Sequence, residues 1–390
     1  MTNIKASVRK NVPSSKRHRT SQHSVKETKK QMAELASKYV FPMTITNTYN
    51  ENKYTVTGIQ RQGKFGGIFV VTDKVSNETK SIKFGLSEHY QVEIDVLTTC
   101  AELLPDTDKI CKFLDYGFID SKNEPFILLE NLSMHLGEYV KTFPHEKFDT
   151  TTGMNVLMEC LKCIHFLHGI GFVHRNIKPS SFYIELNEDK SIKRMYIADF
   201  EGAQRLDLDQ AKIGNMNTLL KDLYTRRLKE RTCGLKYCPL RQHTASTPIP
   251  KDDLESWFYL GIDLLEGTLP WIKYNNNEEE KVVKAKQKMR EPNNPFFKHT
   301  PIRFASLLPR IDDFGESAPP DYNFLMARLE KYHKYLITDD KAKVELSKDR
   351  YIEEAEKNRK EEIIEKIDVK GKDKKGGSVK GEKSIKGKKK

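Results

Sequence analysis

Val173-His174-Arg175-Asn176-Ile177-Lys178-Pro179-Ser180-Ser181-Phe182 is the stretch on which the reading of this chain turns. It follows a run at 151–168 with strong 3.6-residue apolar spacing, which predicts a helix. Beyond it, Ala198-Asp199-Phe200-Glu201 places a carboxylate 23 residues after Asn176. Upstream, Tyr54–Thr57 and 67–71 read as strands flanking a turn that carries Gly63 and Gly66, and Ser81-Ile82-Lys83-Phe84 reads as a third. Alone, each fragment is bland: a lysine on a strand usually faces solvent, and a glycine turn between strands is usually a plain hairpin. Their order along one chain makes them informative together.

The rest of the pattern is an α+β, two-lobe plan. A helix is expected at 88–101, strands at 113–116 and 126–130, and mostly helix thereafter, with a second strongly periodic run at 253–266. The expected division is a basic disordered tail at 1–35 and a main domain at 50–340, with a β-rich lobe at 50–130 and a helical lobe at 131–340. A charged helix at 341–368 and a Lys-rich disordered tail at 369–390 follow. The net charge of +12 belongs to the ends, since residues 1–30 and 370–390 carry +8 each, and the body is mildly acidic. No stretch has the apolar length of a membrane span and no apolar leader opens the chain. Six scattered cysteines then imply a reducing, intracellular setting, cytoplasmic and also nuclear. Cys160 and Cys163 form a C-x-x-C inside the periodic run, where two buried helix cysteines are expected rather than a metal or redox pair.

The opening stretch resembles a protein-kinase catalytic loop, H-R-D-x-x-x-x-N, in which Asp accepts the substrate hydroxyl proton and Asn holds a magnesium ion. Asn176 stands in place of that Asp and Ser181 in place of that Asn, while Lys178 is kept. The resemblance assigns the remaining parts. Gly63 and Gly66 would cover the phosphates, with Arg61 at the first glycine position. Lys83 would pair with the phosphates and Glu93 with Lys83. Leu129 would be the gatekeeper, Glu130-Asn131-Leu132 the hinge against an adenine ring, and Asp199 the metal carboxylate. Within the kinases the chain resembles the casein kinase 1 superfamily, closest to its tau-tubulin kinase branch, through 108–113, 171–175, 252–259, Gly267-Thr268-Leu269-Pro270-Trp271 and Pro320-Asp321-Tyr322. That resemblance covers roughly 54–336 and implies a bilobal kinase fold, with Asp253 anchoring the loop at His174-Arg175 and Lys236 reading acidic or phosphorylated protein substrates.

Five departures meet at the active centre: Asn176, Ser181, Glu201 for the usual glycine, Arg61, and Cys233-Gly234 for the usual Gly-Thr. Losing a positioned general base costs about 10²–10⁴-fold in rate, and weakened metal geometry adds to it. The expectation is a pseudokinase that still binds ATP with Mg2+ or Mn2+, Asp199 and weakly Ser181 being the metal ligands, and acts as a scaffold or regulator. One alternative is a slow serine/threonine kinase in which Asn176 only orients the substrate and Glu201 supplies a second metal ligand. Another is a polyanion-tethering protein working through its basic tails.

Overall fold

A computed structural model describes residues 39–338, apart from 63–66, 73–77, 85–88, 120–123, 133, 207–217, 229, 245, 292–293 and 317. The expected tails, the charged helix at 341–368, Gly63 and Gly66 lie outside the described residues. The small lobe is a six-stranded antiparallel sheet of β1 (Met43–Thr46), β2 (Lys53–Gln62), β3 (Gly67–Thr72), β4 (Thr79–Phe84), β5 (Phe113–Ile119) and β6 (Glu124–Leu129), ordered β1-β2-β3-β4-β6-β5. One helix, α1 (His89–Leu103), packs on its inner face. The expected strands and helix fall on these elements. The starting boundary at 50 does not hold, because β1 pairs with β2 from Met43↔Val56 to Thr46↔Lys53 and Tyr39 is buried against the sheet.

Alternation along the strands decides what each face holds. Ile82 and Phe84 of β4 join Phe126 and Leu128 of β6 on the outer face, where Phe69 stacks on Phe84 at 3.9 Å and Tyr39 packs edge-on against both. Ser81 and Lys83, one step out of phase, therefore point inward together with Ile127 and Leu129, toward the second lobe. A polar strand pair on a buried face needs partners, since an unbonded buried polar group is costly. Those partners make the site.

The large lobe is built on α3 (Thr150–Gly169) and α5 (Pro250–Glu266), with the short α2 (Leu136–Tyr139), α4 (Thr218–Arg227), α6 (Glu279–Lys288), α7 (Ile302–Ala305), α8 (Leu307–Asp313) and α9 (Tyr322–Thr338) around them. Asp149 caps α3 by accepting from the Thr152 N–H at 3.0 Å. Cys160 and Cys163 are buried on that helix, Cys160 against the Met195 sulfur and Cys163 against the Met195 carbonyl, as a structural pair. Pro250 opens α5 and Gly267 closes it in the left-handed region at φ 75°, the usual Pro-start, Gly-stop asymmetry. Two short strand pairs carry the functional loops: β9 (Phe182–Leu186) lies between β10 (Ile192–Ile197) and β7 (Met134–His135), and β8 (Phe172–Val173) pairs with β11 (Gln204–Arg205). No helix among the described residues is long and apolar enough to cross a membrane.

Helix α5 is buried nearly all round, its charged Asp252, Asp253 and Glu255 included, because it is the centre of the large lobe. Gly261 on it is set by contact: an added Cβ would lie 2.4 Å from Cζ of Phe304, whose ring stacks on Phe258 at 5.2 Å. Gly261→Val gains a few tenths of a kcal/mol in helix propensity but overpacks that ring pair, at a cost of about 1–3 kcal/mol. Chemical denaturation should show a lower midpoint with an unchanged slope; an unchanged midpoint would show that the lobe has room there.

Candidate functional site

The decapeptide turns between β8 and β9 and is held from beneath. Asp253, in the first turn of α5, accepts the N–H of His174 at 2.6 Å and of Arg175 at 2.9 Å, and pairs with His168 Nε2 at 2.9 Å. This is the anchoring role expected of Asp253. Burial alone would lift its carboxyl, but His168, His174 and the backbone donor hold it below the usual carboxylate range. Arg175 bends through φ 64°, and Thr232 ties the bend by donating its hydroxyl to the Arg175 carbonyl at 2.9 Å. Thr232 thus makes a loop-to-loop tie one residue before Cys233-Gly234, where the resemblance counts a threonine as lost. Burial pushes the His174 imidazole down from its ordinary value against the pull of Asp253; its Nε2 faces the Ala198 carbonyl at 3.1 Å and its Nδ1 the Asn176 N–H at 3.3 Å.

Asn176 and Ser181 meet at the turn Pro179–Ser181, but on each other. The buried Ser181 hydroxyl donates to the Asn176 carbonyl at 3.0 Å, and the Ser181 carbonyl accepts the Ala198 N–H at 3.0 Å. Ser181 spends its proton on holding the loop. Asn176 offers an amide, which has no basic lone pair to take a hydroxyl proton near neutral pH.

Lys83 does gather the charged residues. Its ammonium lies 2.8 and 3.0 Å from the two Glu93 oxygens, 3.0 Å from Asp199 and 3.3 Å from Glu201. Glu93 reaches it from α1, while Asp199 sits in the left-handed region at φ 69° just before Phe200 packs into the core. Glu201 is therefore turned onto Lys83, and its carbonyl accepts from Arg227 at 2.6 Å. Burial pushes Asp199 up, but Lys83, Lys178 and His174 hold its carboxyl below the ordinary range. Burial and the neighbouring Glu201 and Asp199 push the Glu93 carboxyl up to about 7 against the pull of Lys83. Three carboxylates on one ammonium carry surplus negative charge, and Glu93 is where a proton relieves it. Among the described residues, no group of three or more His, Cys, Asp or Glu side chains is arranged to hold a metal by itself.

The base end of the cleft is built differently. Leu129 is buried on the inner face, and Glu130 is bound by Arg194 at 2.7 and 3.0 Å and by the Lys112 N–H at 2.6 Å. The Leu132 N–H donates to Ser81 Oγ at 2.9 Å, Ser81 Oγ donates to Gln60 Oε1 at 2.8 Å, and Gln60 Nε2 donates to the Leu132 carbonyl. Next to Gln60, Arg61 crosses to the large lobe, bonding both Glu138 oxygens at 3.1 Å and the Tyr183 hydroxyl at 2.9 Å. The expected ATP and metal therefore fit unevenly. Lys83, Glu93 and Asp199 have the arrangement of a phosphate and metal end, whereas the backbone edge expected to read adenine is already bonded. Lys236, expected to read acidic substrates, pairs with Asp263 at 2.8 Å.

Gln60, Ser81, Glu138, Tyr183 and Thr232 are absent from the reading of the sequence. One signal was available for Ser81: it lies two residues from Lys83 on the same strand, hence on the same face. Nothing in the sequence joins Gln60 to Leu132.

No family model matches the chain. Over 287 residues it is 28% identical to serine/threonine-protein kinase spe-6 of Caenorhabditis elegans, covering 72% of each chain. It is 25% identical over 282 residues to a protein named as a probable serine/threonine-protein kinase in Dictyostelium discoideum, covering 72% of this chain and 53% of that one. A Caenorhabditis elegans protein named after casein kinase I is 25% identical over 253 residues, 63% of this chain and 70% of that one. The solved structure of vaccinia related kinase 3 superposes with a TM-score of 0.61 at 16% identity, covering 81% of this chain and 97% of that one. The fold is the bilobal protein-kinase fold, and the sequence relatives carry the names of serine/threonine kinases.

The shared proton at Glu93 is open to measurement. A carboxyl that binds its proton more tightly folded than unfolded stabilises the fold while protonated. That contribution is complete below pH about 4.5 and lost as the pH rises through about 7. Native stability, from denaturation between pH 5 and 8, should fall with rising pH relative to Glu93→Gln, which cannot lose that proton. Parallel profiles for the two proteins would rule the proton out.

Proposed function

We propose that the chain is a kinase-fold protein of the casein kinase 1 group, nearest the tau-tubulin branch, that has lost phosphoryl transfer and acts as a scaffold or regulator for protein partners. The observation that carries this reading is the Asn176–Ser181 pair. The position of the proton acceptor holds an amide, and the position of the second metal ligand holds a hydroxyl already donated to the Asn176 carbonyl. Missing base catalysis accounts for about 10²–10⁴-fold, which takes a kinase working at about 1–100 s⁻¹ down to about 10⁻⁴–1 s⁻¹, and the loss of the second metal ligand lowers it further. Lys178 remains beside the loop without a carboxylate at 176 to work with. The basic ends, +8 each, fit salt-dependent contact with an acidic partner surface and leave the folded body free to dock elsewhere.

One observation favours the reading of a slow kinase: the Lys83–Glu93 pair is formed and Asp199 stands beside it, and phosphoryl transfer is largely positioning and charge neutralisation. Transfer of labelled γ-phosphate from ATP to casein by the full chain separates the two readings, with Lys83→Met as the blank. The native protein should match the blank within error in the presence of Mg2+ or Mn2+. Incorporation clearly above the blank, abolished by Lys83→Met, would make the protein an enzyme.

A further inference from the structure

Leu132 lies in the one segment that a base entering this cleft would meet edge-on, and both polar groups of its backbone are occupied. Its N–H goes to Ser81 Oγ, its carbonyl receives Gln60 Nε2, and Ser81 Oγ closes the circuit onto Gln60 Oε1. The neighbours are occupied as well: the Glu130 N–H donates to the Lys112 carbonyl at 3.0 Å, and the Asn131 carbonyl accepts the Tyr196 hydroxyl at 3.1 Å. Ser81 and Leu132 are fully buried. Each donor in the circuit has an acceptor that is also a member, so the backbone of Leu132 is satisfied without a ligand.

We infer that the base pocket is closed by the chain itself, with Gln60 and Ser81 standing where a purine edge would bind and Arg61 strapping the lobes together over them, so that the protein holds its closed form without nucleotide. This inference rests on the kinase-fold reading of the cleft but not on the loss of transfer. Gln60 and Arg61 are adjacent on β2, and they act on the two sides of the opening. Gln60 bonds the hinge, and Arg61 reaches the large lobe through both ends of its guanidinium, Nη2 to the two Glu138 oxygens on α2 and Nη1 to the Tyr183 hydroxyl on β9. Glu138 is itself fixed, because it and His135 cap each other: the Glu138 N–H donates to His135 Nδ1 at 3.1 Å and Glu138 Oε2 accepts the His135 N–H at 3.2 Å. The strap thus ends on a rigid helix start. At the other end of the cleft, a phosphate chain that brings no metal ion would meet three carboxylates around one ammonium, an unfavourable field for an anion.

A purine could bind the hinge only by opening the circuit and leaving Gln60 and Ser81 buried without partners. Unpaired buried groups of that kind weaken binding by roughly 10²-fold or more together. Titration of a fluorescent ATP analogue into the full chain, with and without Mg2+, is the direct test. The native protein should show no saturable binding up to about 1 mM, and Gln60→Leu/Ser81→Ala/Arg61→Gly should bind at least about 10²-fold more tightly. Saturable micromolar binding by the native chain would overturn the inference. So would a folded triple variant that still fails to bind. If the triple variant does not fold, hydrogen exchange at the Leu132 amide in Ser81→Ala decides: loss of its acceptor should speed exchange at least about tenfold. Unchanged exchange would mean the circuit does not hold the hinge. Native binding without transfer would remove the closed pocket and leave the proposed function standing; native transfer would remove both.

Discussion

Lys83 is the point where charged groups from both lobes meet. Its strand belongs to the small-lobe sheet, Glu93 to the helix beneath it, and Asp199 and Glu201 to the turn that enters the large lobe. An ammonium cannot stay buried alone, and the carboxylate of Glu93, equally buried, cannot stay ionised without it. Removing either partner of such a pair typically costs about 3–5 kcal/mol because the other charge is stranded. The position of α1 against the sheet and of the Asp199 turn against α1 follow from that single requirement. The surplus of acids is the unusual part: with Glu201 added, the cluster holds more negative charge than one lysine neutralises, and the Glu93 carboxyl is pushed up to about 7.

Around this cluster a common principle orders the altered positions. At the departures Ser181, Arg61 and Glu201, and at the neighbouring Gln60 and Ser81, the polar side chains are bonded to the chain itself. Ser181 bonds the Asn176 carbonyl, Ser81 and Gln60 bond Leu132, Arg61 bonds Glu138 and Tyr183, and Glu201 bonds Lys83. Buried polar groups must find partners, and internal partners are always present at full effective concentration. A side chain that replaces a ligand-facing residue therefore turns inward unless something holds it out. What results is a cleft whose bonding capacity is used for rigidity. The anchors behind it, Asp253 under the loop and Thr232 beside it, hold the loop to the large lobe.

How much of this was legible in the sequence depends on how local the deciding force is. Strand and helix positions followed from apolar periodicity, because β4 and α5 bury one face or all faces and their residues show it. The Lys83–Glu93–Asp199 grouping followed from motif order. The first strand was missed, since Met43–Thr46 is only four residues long and is recruited by pairing with β2 and by Tyr39 covering the outer face. Boundaries of that kind are set by long-range pairing, not by local pattern.

The sequence by itself determined the fold and the amide at position 176, because a strand's facing and a residue's basicity are local properties: Ser81 and Lys83 must share a face, and Asn176 cannot be a carboxylate. Only the tertiary structure decided where the remaining polar groups spend their bonds. Gln60 and Leu132 are 72 residues apart, and Arg61 and Tyr183 are 122 apart. No spacing rule links such pairs, since it is the closing of one lobe on the other that brings donor to acceptor, and geometry in three dimensions alone settles which acceptor each donor reaches.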